Sequence, residues 1–304
     1  MTVSHRFDVR PAPAAVRGTP RRGVPPAVWL LGPALAFVIV LTVFPFLYAI
    51  YLSLNRFVFG GTPTFVGLGN YAAMLRDPLF WTGLRVTLVL YVLALAAQLA
   101  LGLYVGMLLH RALRAARFLR TILLAPFAMP SVAVGMMWLI LLDPSFGSVN
   151  YLLHLAGLPK SLFLASPSLV VPTLAAIDTW QWTPFVALIV LGGLQSLPAD
   201  PYEAAVVDGA SPAQLFRFIT LPLLRPSLLA AAILRSVDLL RFFDTVYITT
   251  QGGPGNASTT LNIYAYQQGF QFFELGYASA LMLVLLLAVF AVVTGLTTLR
   301  RAIA

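Results

Sequence analysis

The chain has 304 residues and a net charge of +9; 60% of its residues are hydrophobic and only 10% are charged. Soluble domains carry about 25% charged residues, so this composition argues against a soluble globular protein. The sequence has no cysteine, which excludes disulfides and thiolate metal sites. Its three histidines are widely separated, and none has the spacing of a zinc-ligand motif.

Six apolar segments follow one another along the chain, and each reaches the roughly 20 residues needed to cross a bilayer. They are 27–52, 84–109, 119–142, 169–194, 226–250 and 277–299. Lipid offers no partner to open backbone groups, so every segment is predicted to be a helix. The first is interpreted as a retained span, because its apolar run is too long for a cleaved signal peptide. The predicted fold class is an all-α integral membrane protein with six transmembrane helices.

Basic residues are distributed unevenly between the two sides of this arrangement. Thirteen arginines lie in the tail 1–26, in 111–120, in 217–225 and at 300–301, whereas the opposite loops carry Arg56, Arg76 and Lys160. The positive-inside rule then predicts that both termini are cytoplasmic. The basic excess is explained by topology and lipid headgroups, so nucleic acid is not an expected partner. The tail 1–26 has five prolines and no apolar periodicity, and is predicted to be disordered.

Charged and aromatic side chains interrupt the fourth and fifth spans. The fourth carries Asp178, Trp180, Gln181 and Trp182 about ten residues from its start, too deep for an interfacial aromatic belt. The fifth carries Arg235, Asp238, Arg241 and Asp244 in steps of three, which places neighbours on adjoining helical faces. Two interpretations stay open: a self-neutralising structural ladder, or a wet translocation path that binds substrate. These eight residues are the candidate substrate path.

The cytoplasmic loop 195–225 is predicted to form two short helices. Asp200 with Glu203, and Ser211 with Gln214, have the spacing of N-terminal capping boxes. Gly209 between them fits the left-handed position that ends a helix. The second helix is expected to stop before Pro222. Such a hairpin could lie on lipid headgroups, or it could be a rigid knob that docks into a soluble partner.

The same loop carries a family resemblance. Glu203-Ala204-Ala205, three residues, Gly209, nine residues and then Ile219-Thr220-Leu221-Pro222 resembles the EAA loop of binding-protein-dependent ABC importer permeases. The resemblance covers roughly 84–299. Two further stretches, 180–185 and 243–255, resemble the carbohydrate branch, the maltose, trehalose and glycerol-phosphate type.

The resemblance implies a type I importer core over 84–299 in a bacterial cytoplasmic (inner) membrane. Its implied partners are a second permease subunit in a heterodimer, an ATPase dimer and an extracytoplasmic substrate-binding protein. The implied coupling residues are Glu203, Ala204, Ala205, Gly209, Ile219, Leu221 and Pro222.

ATP chemistry is expected on another chain. Lys160 is the only lysine and follows Pro159, so the sequence contains no Walker A motif. No cofactor or metal is expected on this chain, and ATP with magnesium would belong to the ATPase partner. Together with the absence of a Walker A motif, the resemblance implies a non-enzymatic permease subunit of a sugar or polyol importer. The alternatives are a secondary transporter for a small polar solute and, less favoured, an intramembrane enzyme.

Overall fold

The computed structural model of the protein describes residues 26–111 and 123–303, most of which are helical. The predicted tail at 1–26 therefore lies almost wholly outside the described residues. Contacts divide the chain into Met1–Leu47 and Tyr48–Ala304, with the boundary inside the first helix. The second unit contains all the side chains discussed below.

The first half of the described chain runs from the first helix to the outer loops. Its elements are α1 Pro26–Ser53, β1 Asn55–Arg56, β2 Thr64–Phe65, α2 Gly69–Arg76, α3 Pro78–Arg111, a helical segment at 123–128, α4 Ser131–Leu141 and α5 Ser148–Leu155. The two short strands pair antiparallel, with Asn55 opposite Phe65. This small hairpin is a departure from the all-α prediction.

The second half holds the hairpin loop and the remaining long helices. Its elements are α6 Val170–Gln195, α7 Asp200–Val207, α8 Pro212–Leu215, a π-helix Phe216–Thr220, α9 Leu221–Leu240, α10 Asp244–Thr249, α11 Leu261–Tyr266, a π-helix Gln267–Gln271 and α12 Leu275–Ile303.

Within the described residues, five helices are long and apolar enough to cross a membrane. They are Leu31–Ser53, Pro78–Arg111, Val170–Gln195, Pro212–Leu240 and Leu275–Arg301. The first, second, fourth and sixth predicted spans correspond to four of these helices, so their existence and type are confirmed.

The third predicted span is interrupted where the structure describes it. A helical segment at 123–128 ends at a bend, and α4 begins only after Pro130. Proline has no N–H to continue a helix, which explains the break. α4 has 11 residues and measures roughly 16 Å, too short to cross about 30 Å of hydrocarbon by itself. Residues 119–122 lie outside the described part, so the count of six spans stays a prediction.

The fifth predicted span, 226–250, is wrong in its second half. α9 ends at Leu240, and the backbone N–H groups of Arg241 and Phe242 turn back three residues, to Asp238 and Leu239. The side-chain amide of Asn262 donates to the carbonyl of Arg241 at 2.9 Å, which satisfies a backbone acceptor freed by the break. α10 then starts at Asp244, so the four charges do not form one continuous helical ladder.

Small residues let α3 and α6 approach closely. A Cβ atom at Gly102 would lie 2.5 Å from Val186 Cγ1, and one at Gly106 would lie 2.7 Å from Val190 Cγ1. Glycines four residues apart are typical of close helix pairs in membranes. A core of Leu90, Leu174, Leu239 and Ile263 joins these two helices to α9 and α11. The candidate site lies beside that core.

Candidate functional site

Asp178 of α6 and Arg235 of α9 form a buried ion pair. Both side chains are 1% exposed, and Arg235 Nη2 lies 2.9 Å from Asp178 Oδ2. A buried charge is tolerated only when it is paired and hydrogen-bonded. The pair therefore neutralises two charges that interrupt separate apolar spans.

Gln98 of α3 joins this pair to a third helix. Arg235 Nε donates to Gln98 Oε1 at 2.8 Å, and Gln98 Nε2 donates to Asp178 Oδ2 at 2.5 Å. Gln98 is fully buried. Sequence reasoning missed it, although it is an isolated amide within the apolar stretch 92–103. The three side chains lock α3, α6 and α9 together.

Trp182 covers the guanidinium of Arg235. The Arg235 Cζ atom lies 4.1 Å from the centre of the Trp182 ring. The planar, weakly hydrated guanidinium suits such stacking on an aromatic face. Phe127 packs edge-on against the same indole at 5.3 Å, so the ring is held in place.

Further charged side chains extend from the buried pair toward the surface. Arg235 Nη1 donates to Asp238 Oδ2 at 3.2 Å, and Asp238 Oδ1 lies 3.7 Å from Arg241 Nη2. The side chains of Asp238 and Arg241 are 45% and 59% exposed. Two neighbouring pairs of the fifth span, Arg235 with Asp238 and Asp238 with Arg241, are thus present, but the inter-helix pair with Asp178 was not predicted.

A cavity of about 380 Å³ opens over this chain of charges. It is lined by Ser131, Asp178, Trp182, Arg235, Asp238, Arg241, Phe242, Phe243, Asp244 and Asn262. The break after α9 brings Phe242, Phe243 and Asp244 to its wall, and Asn262 comes from α11. The cavity combines aromatic faces with carboxylate and amide groups, so it can both pack against and hydrogen-bond a small polar molecule.

Two candidate path residues point elsewhere. Trp180 packs edge-on against Trp138 at 5.5 Å and lines a separate apolar cavity of about 1000 Å³. Gln181 is buried and donates to the backbone oxygen of Met129 at 3.0 Å. The other six candidates, Asp178, Trp182, Arg235, Asp238, Arg241 and Asp244, meet at the charged cavity. Asn262 was missed because its place there depends on the helix break.

The loop after α6 does form a pair of short helices. Gly209, two residues after the end of α7, has φ +77°, and Ser211 with Gln214 forms a complete capping box at α8. Both predictions are confirmed. The predicted cap at Asp200 is wrong, because Ala199 already has helical φ and ψ and Asp200 lies inside the helix.

The second helix of this hairpin does not stop before Pro222, as the sequence predicted. It continues through a π-helical turn at Phe216–Thr220 into α9. This wider turn lies directly before Pro222. The Leu221 N–H donates to the carbonyl of Phe216, five residues back, and the Thr220 hydroxyl donates to the carbonyl of Leu215 at 3.3 Å. The hairpin is therefore joined rigidly to the helix that carries Arg235.

Comparison with known proteins identifies the chain. Residues 98–303 match the family described as the inner membrane component of binding-protein-dependent transport systems. The protein belongs to this permease family. It is a multi-pass transport subunit and not an enzyme, and this membership favours the importer over the secondary transporter.

Individual relatives of this permease are similar over most of their length. It is 37% identical over 245 residues to the trehalose/maltose permease protein MalF of Thermococcus litoralis, covering 80% of this chain and 82% of that protein. It is 36% identical over 295 residues to a probable ABC transporter permease protein, y4oQ, of Sinorhizobium fredii, covering 96% and 94%.

A third relative is the sulfoquinovosyl glycerol permease protein SmoG of Agrobacterium fabrum, 35% identical over 261 residues, covering 85% of each chain. Among solved structures, a chain of a bacterial alginate ABC transporter, crystallised with its periplasmic protein, superposes on this permease with a TM-score of 0.80. The two chains are 21% identical, and the match covers 91% of this permease and 96% of that chain. At that identity the likeness concerns the fold.

Proposed function

We propose that this permease subunit carries a neutral sugar or polyol across the inner membrane as part of an ATP-driven importer. The observation that carries the proposal is the 380 Å³ cavity beside the Asp178–Arg235 pair. It lies at the end of α9, between helices that come from different parts of the chain.

The chemistry of the cavity suits a sugar. A sugar ring presents an apolar C–H face, which can pack on Trp182 or Phe243, and hydroxyl edges that seek hydrogen bonds. Asp244 and Asn262 supply such groups on the same wall. Both arginines already face carboxylates, so the wall offers no unpaired cation to an anionic substrate. Relatives named for trehalose and maltose transport support the same substrate class.

The hairpin at 200–220 supplies a route for coupling. Glu203 and Ala204 are exposed on it, while Ala205, Ile219, Leu221 and Pro222 are half-buried. An ATPase pair, with ATP and magnesium bound to it, would press on this surface and turn α9 through the continuous helix. A second permease subunit and an extracytoplasmic binding protein complete the assembly. The uneven distribution of basic residues supports a cytoplasmic position for both termini and the hairpin.

Transport in this scheme proceeds by alternating access. ATP-driven closure of the ATPase pair moves the hairpins, and the cavity becomes open to the outside instead of the inside. The sugar contributes only through its different affinity for the two states. The hairpin is continuous with α9, the helix of Arg235, which supports direct transmission of movement from the ATPase pair to the cavity.

Reconstitution of the complete importer in proteoliposomes tests the proposal. Uptake of labelled trehalose or maltose should require ATP and the binding protein. Asp244→Asn should weaken uptake about ten-fold, the size of one lost charge-assisted hydrogen bond. Glu274→Gln, an exposed carboxylate away from the cavity, serves as the matched control. Absence of uptake for every neutral sugar and polyol offered, trehalose and maltose included, or equal behaviour of the two variants, would contradict the proposal.

A further inference from the structure

Four aromatic rings lead away from the cavity, and each is in contact with at least one of the others. Phe243 lines the cavity and lies 5.2 Å from Tyr266, and Tyr266 stacks on Phe270 at 5.2 Å. Tyr247 bridges the first two, at 5.3 Å from Phe243 and 5.1 Å from Tyr266. We call these four residues the aromatic track.

The aromatic track points away from the hairpin end of the molecule. Asp77, directly before α3, accepts hydrogen bonds from Tyr264 and Tyr277, so α11 lies beside the start of α3. The opposite end of α3, at Arg111, lines a cleft together with Glu203 of the hairpin. A helix of 34 residues is roughly 50 Å long, so these two ends are far apart. With the hairpin in the cytoplasm, the track leads from the cavity outward.

One end of the track is packed and the other is open. Phe243 and Tyr247 pack against the hydrophobic core shared by α3, α6 and α9, while Phe270 is 68% exposed. Polar groups run beside the rings: the hydroxyls of Tyr247 and Tyr266 lie 3.4 Å apart, and Gln267 donates to the carbonyl of Gln251 at 3.3 Å. Phe243 and Tyr247 are therefore held by packing, and hydrogen-bonding groups lie beside the rings.

We propose that the aromatic track guides sugar rings from the outer surface to the charged cavity. The proposal rests on the sugar-transport function argued above. A sugar packs its C–H face on an aromatic ring through contacts with little directional preference, unlike a hydrogen bond. Successive rings about one sugar ring apart let the molecule shift forward without first losing all its contacts. Phe243 belongs to both the track and the cavity wall, so a sugar that follows the track reaches the cavity.

An aromatic belt at the membrane surface would have a similar composition. A belt anchors the protein among lipid headgroups, and its loss would leave the amount of sugar moved per ATP unchanged. A guide track keeps the released sugar from diffusing back to the outside. Its loss would therefore allow ATP hydrolysis without transfer of the sugar to the cavity. The ratio of sugar to ATP therefore separates the two roles.

The test uses the complete importer in proteoliposomes with its binding protein and labelled trehalose or maltose. Phe270→Ala should lower the sugar transported per ATP hydrolysed about five-fold, with ATP hydrolysis retained. Phe270→Trp should keep the ratio close to that of the unmodified protein, because the aromatic face remains. Phe272→Ala is the matched control, since Phe272 is 61% exposed two residues away.

The outcomes separate the track from the function on which it rests. Sugar uptake by the unmodified importer with an unchanged ratio in Phe270→Ala would overturn the track alone. An equal loss in Phe272→Ala would also overturn it. Absence of uptake by the unmodified importer for every neutral sugar and polyol offered, trehalose and maltose included, would overturn the proposed function and the track together.

Discussion

Arg235 and Asp178 lie on different helices, yet their charged groups meet at 2.9 Å with 1% of each side chain exposed. Gln98 bonds to both from a third helix. The pair also forms part of the cavity wall. One polar cluster thus ties α3, α6 and α9 together and shapes the candidate site.

Breaking this pair on one side should destabilise the protein strongly. Asp178→Asn leaves the buried Arg235 charge with only the half-exposed Asp238 as an ion-pair partner, and loss of the buried partner costs about 3–5 kcal/mol. Thermal unfolding of the purified protein in detergent measures the loss. The double variant Asp178→Asn/Arg235→Gln should be less damaging than the two single effects added together, because no lone charge remains.

Asp238→Asn is the matched control for this cycle. Its side chain is 45% exposed and its pairs are i,i+3 contacts, which are worth less than about 1 kcal/mol. A control effect as large as that of Asp178→Asn would mean that burial does not set the strength of the pair.

The features that could be predicted from the sequence are those that depend on residues close together along the chain. Long apolar runs predicted four spans correctly, and Gly209 and Ser211 were interpreted correctly because their roles depend on neighbours within a few residues. The end of α9 was missed, because the freed carbonyl of Arg241 accepts its hydrogen bond from Asn262, more than twenty residues away. The Asp178–Arg235 pair was missed for the same reason, since only the folded chain brings these spans together.

Close packing of α3 on α6 predicts a specific steric effect. Gly102→Ala places a methyl group 2.5 Å from Val186 Cγ1, so the helices must separate. Overpacking of this kind costs about 1–3 kcal/mol, measured as a fall in thermal stability. Val186→Ala should recover part of that loss in the double variant. Gly192→Ala, with open space around it, is the control and should be neutral or slightly stabilising. No rescue by Val186→Ala would contradict the steric explanation.

The turn of the hairpin predicts a ranking of substitutions at Gly209. Its φ is +77° and nothing lies within 4 Å of an added Cβ, so backbone strain alone opposes a side chain. Gly209→Asn should be mildest, Gly209→Ala intermediate at about 1 kcal/mol, and Gly209→Val worst. Hydrogen exchange of the hairpin amides measures the local stability. Equal protection in all three variants would show that the turn adopts another conformation.

The proposed coupling surface predicts separation of ATP hydrolysis from transport. Glu203 is exposed at the hairpin, and Glu203→Lys reverses its charge where the ATPase would dock. We expect the variant to insert normally but to lose at least about ten-fold in ATP-driven uptake, as for a disrupted interfacial charge. Asp208→Lys, exposed on the same hairpin, is the control. Unchanged uptake with Glu203→Lys would count against docking at this position.

Asp77, directly before α3, predicts that the stability of the protein depends on pH in the acid range. Burial raises the pKa of Asp77, but hydrogen bonds from Tyr264, Tyr277 and the backbone of Leu79 and Phe80 outweigh it, so the pKa lies below the ordinary 3.8. A carboxylate with a lowered folded pKa stabilises the protein above pH 3.8, and this contribution is lost as the pH falls through the folded value.

Asp77→Asn isolates this contribution. Thermal unfolding should show the unmodified protein more stable than Asp77→Asn at pH 7, with the difference shrinking only below pH 3.8. Tyr277→Phe removes one donor at 2.7 Å and should shift the loss to higher pH, because the carboxylate is then less well stabilised. A difference between wild type and Asp77→Asn that stays constant through this range would contradict a charged Asp77 as the acceptor that joins α3 to α11 and α12.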